Sequence, residues 1–334
     1  MKCVLILLLW VLPVSLFSQI DTVNYVSPEL FGAVSNNLDA GHENTKCIQQ
    51  AIDYATTSGK TLISSAGKKY YIAGSLRING FVNIDFGKAT LIATDTCKMV
   101  IVNNGVRGKW AGTIKNMQLD MNGCANCGIF CENAIKLKFE DIGITGIKSY
   151  SSGLCIQKGY EVFAENMHFE GGQNKAMGIV IRTHDCHFVD CVMIDCHTAV
   201  DCCGSNFFER IHAWMGRGGK WIDGSTFFQI RTGGPVFLHQ CFSDTFDNAF
   251  DILSRTDLYI SQHKNFHNMI MWKRDVEKIH PVLFHFSDER IAKGSNIVVD
   301  NSYLGGIVVN GVNLQRFSNV EQNSVKVSSS NVIK

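Results

Sequence analysis

Acidic, basic and thiol side chains are concentrated between residues 175 and 251 of this chain. Within "THDCHFVDCVMIDCHTAVDCC" (183–203) the pair Asp-Cys occurs four times, interspersed with histidine. Thiolates and imidazoles in such a run indicate a metal site or disulfides, whereas carboxylates beside an imidazole indicate acid–base chemistry. The choice between a metal site, disulfides and acid–base chemistry depends on which side chains share a face of a strand or helix. The secondary-structure elements that carry these residues must therefore be identified first.

A repeat with a period of 20–25 residues organises this region, 25 in the earlier copies and 20 in the copies that follow. Two columns of residues recur at the longer interval, Asn116, Asp141, Asn166 and Cys191 in one, and Gly128, Gly153 and Gly178 in the other. Apolar and polar residues alternate around the first column, which predicts short strands with one buried face. Units this short bury that face only by stacking, so the repeat predicts an all-β, parallel β-helix. A leucine-rich repeat has a similar period, but its leucine and asparagine signature is missing here.

The segment before the repeats fits a cap on the first turn of such a helix. "ENTKCIQQAIDYATTSGK" (43–60) places apolar residues at helical spacing, with Asn44 or Thr45 as N-cap and Gly59 as the stop. We predict a helix at about 44–57 within a cap and first strands that span 19–95. Residues 96–334 then form the repeats of the same domain.

The first residues predict the compartment. Lys2 precedes the apolar run "VLILLLWVLPV" and the small residues of "SLFS", which is typical of a cleaved signal peptide at 1–18. A membrane anchor is the alternative, but the run is shorter than the ~20 residues that a span needs. We therefore expect a secreted, periplasmic or cell-surface protein without a membrane span. With 31 basic and 30 acidic residues, no bulk charge favours a nucleic-acid partner.

The N-terminal sequence resembles a known family. "FGAV" (31–34), "NTKCIQQAIDYA", "GKTLISSAGKKYYIAGSL" and "NIDFGKATLIA" are similar to the opening of pectate-lyase-like proteins, which include polygalacturonases, pectate lyases and phage tailspikes. The resemblance implies a right-handed parallel β-helix and a polysaccharide partner bound along the strand that follows the repeat glycine. Tailspike members form trimers, so the resemblance leaves a trimer open.

The family's catalytic residues do not carry over. Where polygalacturonases have Asn-Thr-Asp this chain has "NKAMG" (174–178), and "GRGG" (216–219) stands in place of Gly-His-Gly. Polygalacturonase chemistry is therefore not predicted.

The same strand nevertheless collects polar residues in successive copies, "KAMGIVI", "CHTAVDC", "RGGKWID" and "FDNAFDI". Asp201 and Asp251 fall in one outward column two repeats apart, with Trp221 or Ile222 between them. Two strand spacings separate their backbones by roughly 9–10 Å, close to the carboxyl separation of inverting glycosidases. The candidate catalytic residues are Asp201, Asp247, Asp251, Asp195 and His197, and the candidate substrate-binding residues are Lys175, Arg217, Lys220 and Trp221.

A lyase is the alternative reaction. Lys175, His197 or Arg217 would then supply the base, and Asp201, Asp247 and Asp251 offer oxygen ligands for Ca²⁺. We otherwise expect no cofactor and no metal. A second outward cluster on the other strand face ranks lower, and it consists of Asp120, His168, Glu170, Asp195, His212 and Trp214.

The cysteines are better explained as structure than as chemistry. Cys131 and Cys202 share a column with Ile156 and Ile181, which predicts core thiols, and Cys191 falls in the turn column. Disulfides rank second and a metal site last. The charged segment 271–280 interrupts the repeats, and it is read first as a solvated loop and second as an excursion that borders the groove.

Together these patterns predict a secreted polysaccharide-active protein, a glycoside hydrolase or a lyase of an acidic, uronic-acid-containing polysaccharide. The alternative is a non-catalytic glycan-binding or surface-structural β-helix.

Overall fold

A computed structural model describes residues 24–105, 112–172, 175–215, 224–266, 282–300 and 302, with four short strands beyond them. The predicted signal peptide lies outside the described residues. The α-helices are α1 (Gly41–Ser58) and α2 (Glu289–Gly294), and the 3-10 helices are Pro28–Phe31 and Leu38–Ala40.

The strands are numbered in chain order. The first group is β1 (Tyr25–Val26), β2 (Thr61–Ile63), β3 (Lys69–Ile72), β4 (Leu76–Ile78), β5 (Asn83–Ala93), β6 (Lys98–Asn103), β7 (Gly112–Asp120), β8 (Cys127–Ile135), β9 (Leu137–Thr145), β10 (Ser152–Ile156) and β11 (Gly159–Tyr160). The middle group is β12 (Phe163–Glu165), β13 (His168–Glu170), β14 (Met177–Ile181), β15 (Cys186–Val189), β16 (Val192–Ile194), β17 (Thr198–Cys202), β18 (Asn206–Glu209), β19 (His212–Trp214), β20 (Thr226–Ile230), β21 (Pro235–His239), β22 (Phe242–Asp244), β23 (Asn248–Ile252), β24 (Asp257–Ser261) and β25 (Lys264–Phe266). The last group is β26 (Val282–Phe286), β27 (Asn296–Asp300), β28 (Ile307–Val309), β29 (Phe317–Ser318), β30 (Val327–Ser328) and β31 (Val332–Ile333).

These strands stack turn upon turn into three faces. One face, called the groove face because the predicted substrate groove would follow its strands, consists of β4, β6, β8, β10, β14, β17, β20, β23, β26 and β28, each hydrogen-bonded to the next. The ladder face follows β12, β15, β18, β21, β24 and β27, and the third face follows β13, β16, β19, β22 and β25. Among the described strands every pairing is parallel except that of β30 with β31. The predicted parallel β-helix is confirmed.

A column of residues with positive φ turns the chain from the ladder face to the third face. Its members have φ between 52° and 54°, and they are Asn116, Asp141, Asn166, Asp190, Arg210, Gln240 and Gln262. Asn and Asp tolerate this left-handed conformation better than most residues. Their side chains also bond between turns, as in the contact of Arg210 Nη2 with Asp190 Oδ2 at 2.8 Å.

The placement of Cys191 in this turn column was wrong by one residue. Glu165 pairs with Val189, so Asp190 follows Asn166 in the column. Cys191 instead lies fully buried in the core. The turn that contains it is one residue shorter than those before it, and a one-residue slip moves every strand side chain to the opposite face.

The predicted capping helix is confirmed, with a different start. Helix α1 begins at Gly41 and ends before Gly59, whose φ of 69° is left-handed. Asn44 is not its N-cap, because its buried side chain exchanges two hydrogen bonds with the backbone of Val34, at 2.8 and 3.0 Å. The apolar face of α1 covers the first turn with Cys47, Ile48, Ala51, Ile52 and Ala55.

The cysteines of the described residues are all free thiols. Cys131 and Cys202 align with Ile156 and Ile181 across the groove-face strands, and all four are buried. Burial raises the pKa of Cys186 and Cys191 to about 12, so these thiols are poor nucleophiles. Within the same residues, no helix is long and apolar enough to cross a membrane.

A buried histidine near the C-terminal turns makes stability depend on pH. His263 is fully buried, and its ring lies 5.7 Å from that of Phe227 and 5.5 Å from that of Phe250. Neither ring nitrogen makes a hydrogen bond within the described residues. This burial lowers the pKa of His263 to about 4, and a weaker interaction with the Cys241 backbone acts in the opposite direction.

Replacing His263 with Phe is expected to make the protein less sensitive to acid. The folded state keeps the imidazole neutral, so the unfolded chain binds more protons between the unfolded pKa of 6.5 and the folded pKa of about 4. Stability is therefore full above pH 6.5 and is lost as the pH falls toward 4, by up to about 3 kcal/mol from this residue. Chemical unfolding of both proteins across this range measures the difference. His184→Gln, at an exposed histidine, is the control, and an unchanged slope in His263→Phe would contradict the assignment.

Candidate functional site

The groove face carries a column of outward side chains that changes from apolar to polar along the β-helix. The strand registers align Phe130, Cys155, Val180, Asp201, Gln229, Asp251 and His285 on successive turns. The predicted alignment of Asp201 with Asp251 two turns apart is thus present. The prediction of Trp221 or Ile222 between them was wrong, because the longer turn after β17 brings Gln229 into register with Asp201.

Asp201 is held by two arginines on the neighbouring turns. Arg182 follows β14 and donates from Nη1 and Nη2 to the two carboxylate oxygens, at 3.0 and 2.8 Å. Arg231 follows β20 and donates from Nε to the same oxygens, at 2.8 and 2.9 Å. Burial alone would lower the pKa of Arg182, but the hydrogen bonds and charge of Asp201 raise it. Only 1% of Asp201 is exposed, so its carboxylate is buried and held between two guanidinium groups.

Asp251 and His285 form a hydrogen-bonded pair on the next two turns. His285 Nδ1 lies 2.7 Å from Asp251 Oδ1, and the imidazole is 39% exposed whereas the Asp251 side chain is 14% exposed. With Nδ1 donating to the carboxylate, Nε2 carries the lone pair of a base. Gln229 Nε2 donates to the second oxygen of Asp251 at 2.8 Å, and Arg231 Nη2 donates to Gln229 Oε1 at 2.7 Å. The network therefore runs unbroken from Arg182 to His285.

The other predicted residues lie in the turns that lead into these strands. Asp247 precedes β23 and its Oδ2 accepts a hydrogen bond from the Gly224 amide at 2.5 Å. Asp195 is 8% exposed and has a left-handed φ of 52°. His197 Nδ1 lies 3.3 Å from Thr198 Oγ1. The Lys175 ammonium donates to the Tyr150 hydroxyl at 2.9 Å, beside a ring that is 73% exposed.

Several predictions fall where the chain is not described, namely Arg217, Lys220, Trp221 and the excursion at 271–280. Within the described residues, no group of three His, Cys, Asp or Glu could hold a metal ion. In particular, Asp201, Asp247 and Asp251 do not form the Ca²⁺ site considered for a lyase, because two guanidinium groups already bind the Asp201 carboxylate.

Sequence reasoning missed the partners that define the site. Arg182 and Arg231 stand just after their strands, and His285 lies far beyond Asp251 in the chain because the segment 267–281 intervenes. An alignment at the repeat interval does not bring His285 beside Asp251, because the two residues are 34 positions apart in the chain. A signal was available only for Arg182, which directly follows the predicted strand "GIVI" (178–181).

The ladder face carries a different feature, a stack of outward rings. Phe163, His187, Phe207, Phe237 and Tyr259 stack in order, with centroids 4.6–5.0 Å apart and planes within 19°. The stack borders a shallow groove of about 400 Å³. Because each ring covers the face of the next, the stack contributes to stability and presents mainly ring edges.

Solved structures with the same architecture are similar to this chain at low sequence identity. No protein-family model matches the sequence, and neither does any curated protein. The gp42 tailspike of an Acinetobacter phage matches 95% of the chain with a TM-score of 0.52 and 12% identity. Bacteriophage phi29 gene product 12 matches 85% with a TM-score of 0.53 and 10% identity. A mutant tailspike of E. coli bacteriophage HK620, in complex with a pentasaccharide, matches 89% with a TM-score of 0.51 and 11% identity.

The chain spans 64%, 45% and 65% of those three chains, less than two thirds of each. At these identities the likeness concerns the fold. The stacked parallel strands, the N-terminal capping helix and the three structural neighbours together show that this chain has the parallel β-helix fold of the tailspike proteins.

Proposed function

We propose that this protein acts on an acidic polysaccharide bound along the groove face, and that the Asp251–His285 pair is the base of a β-elimination. The observation that carries the proposal is the 2.7 Å hydrogen bond that orients a partly exposed imidazole. A carboxylate in this position fixes the tautomer of the histidine and stabilises the imidazolium that forms when it takes a proton. The oligosaccharide bound by the HK620 tailspike mutant supports a glycan as the ligand class.

Elimination from a uronic acid needs a base and a cation that faces the sugar carboxylate. His285 Nε2 would take the proton from the carbon next to the carboxylate, the electron pair would form the new carbon–carbon double bond, and the glycosidic carbon–oxygen bond would break. The imidazolium would return its proton to the leaving oxygen. Arg231 is 43% exposed one turn from Asp251, so its guanidinium is the group that would face the carboxylate.

The lyase is preferred to an inverting hydrolase because of Asp201. Inverting hydrolysis needs one carboxylic acid that protonates the leaving oxygen and one carboxylate that activates water. Asp201 accepts four charged hydrogen bonds from two arginines and is almost fully buried. It would therefore serve to position the arginines. Asp247, Asp195, His197 and Lys175 lie in the turns that lead into the groove-face strands, and we propose them as substrate contacts.

The second candidate is glycan binding without turnover. Its support is the exposed Tyr150 ring beside Lys175, which offers an aromatic surface and a cation to a sugar without any catalytic group. In either case we propose that the protein works outside the cytoplasm as a single domain, following its predicted signal peptide. An oligomer is not required by the proposed site.

Product analysis distinguishes these functions. Incubation with polygalacturonate, alginate and hyaluronan is expected to produce ultraviolet absorbance from unsaturated uronic acids, with one new reducing end for each double bond. Reducing ends without that absorbance would indicate hydrolysis and overturn the lyase. Binding of a polysaccharide with neither signal would leave the glycan-binding function, and the absence of binding to all three would contradict an acidic polysaccharide as the ligand.

A further inference from the structure

A second polar and aromatic cluster lies on the third face, away from the groove face. The outward columns there align Glu170, Ile194, Trp214 and Asp244 on successive turns, beside His168, Val192, His212 and Phe242. Strand β22 points Phe242 and Asp244 outward and buries Ser243 between them. Trp214 and Asp244 are therefore neighbours across one turn.

Asp244 has an oxygen that no described residue satisfies. Its Oδ1 is buried without a hydrogen-bond partner, and the residue makes no ion pair, within the described part of the chain. Burial raises the pKa of Asp244 above its ordinary value. A buried, unpaired carboxylate oxygen destabilises a folded protein, so its retention suggests that a ligand supplies the missing donor.

The aromatic side chains next to it form a fixed platform. The His212 ring lies 4.8 Å from the ring of Trp214 and 4.6 Å from that of Phe242. Burial lowers the pKa of His212, which disfavours the charged form of its imidazole. Trp214 remains partly exposed at the end of its strand, and an indole surface beside hydrogen-bond acceptors suits the apolar face and the hydroxyls of a pyranose.

We propose that Trp214, His212 and Asp244 form a second carbohydrate site, which takes a neutral sugar unit by stacking on Trp214 and by accepting a hydrogen bond from a sugar hydroxyl at Asp244. The preference for a neutral sugar rests on Asp244, because a carboxylate beside the stacking ring accepts a hydrogen bond from a hydroxyl and would repel a uronate. Lys264 of strand β25 is in register with Phe242 and not with Asp244. The site is independent of the proposed elimination, and a chain that carries both sites would bind a mixed acidic and neutral polysaccharide at two places.

The test uses the whole protein and defined oligosaccharides. Maltohexaose, cellohexaose, laminarihexaose and mannohexaose are titrated against it by calorimetry and by tryptophan fluorescence, with hexagalacturonate as the acidic comparison. At least one neutral hexasaccharide is expected to bind and to change the fluorescence. Trp214→Leu removes the fluorescence change and weakens binding about tenfold, because the stacking contact is lost. Asp244→Leu also weakens binding about tenfold, because the buried hydrogen bond to the ligand is lost.

Asp244→Leu is the sharper variant, because removal of an unpaired buried carboxylate leaves the melting temperature unchanged or higher while affinity falls. Asp257→Leu, which removes an exposed acid on the ladder face, and His285→Gln on the groove face are the controls, and both should bind the neutral ligand normally. The proposal is overturned if no neutral hexasaccharide binds, if both third-face variants bind like the wild type, or if their weaker binding follows a lower melting temperature. A negative elimination assay would not affect these results.

Discussion

Replacing His285 with Gln is expected to lower the turnover number on a uronic-acid polysaccharide by about 10²–10⁴-fold, the usual contribution of a general base. Gln keeps a side chain that can contact Asp251 but cannot accept a proton at neutral pH. Because the arginines and the remaining groove residues are unchanged, the Michaelis constant should change little. Initial rates of double-bond formation at several substrate concentrations separate the two quantities.

His239→Gln is the matched control for this variant. His239 is also an outward histidine on a strand, with Nδ1 2.8 Å from Ser261 Oγ, but it lies on the ladder face. It should keep full activity. In Asp251→Asn the amide no longer holds the imidazole in the required tautomer, so the rate should also fall and its pH dependence should change. Wild-type turnover in His285→Gln would show that the base lies elsewhere.

The double variant Arg182→Met and Arg231→Met is expected to lose about 3–5 kcal/mol of unfolding free energy, because it leaves the Asp201 carboxylate buried without a cation. Each single variant should cost less, since the other guanidinium still contacts both carboxylate oxygens. Denaturant unfolding of the two single variants and the double variant gives the coupling between the arginines.

Two further variants make this result specific. Adding Asp201→Leu to the double variant removes the unpaired charge and should recover most of the lost stability. Arg210→Met breaks the exposed pair with Asp190, in which both side chains are more than 40% exposed, and should change the unfolding free energy far less than the double variant does. If the triple variant is no more stable than the double variant, the buried carboxylate is not the cause of the loss.

The alignment of residues on successive turns was predictable where the repeat is regular. Between Asn116 and Asn166 the interval is constant, and the observed registers follow it. One shorter turn was enough to misplace Cys191, since strand side chains alternate and a single deletion exchanges inside with outside. The longer interval between β17 and β20 had a similar effect, because it placed Gln229 in the register position where Trp221 or Ile222 was expected.

The sequence by itself determined the fold, the capping helix and the outward alignment of Asp201 with Asp251, because all three depend on local periodicity. Only the tertiary structure decided what surrounds those carboxylates. Arg182, Arg231 and His285 reach them from neighbouring turns that are 19 to 34 residues away along the chain, and the turns differ in length. Whether an acid is locked between two guanidinium groups or orients an exposed histidine depends on contacts across turns, and a residue's position in the repeat does not specify those contacts.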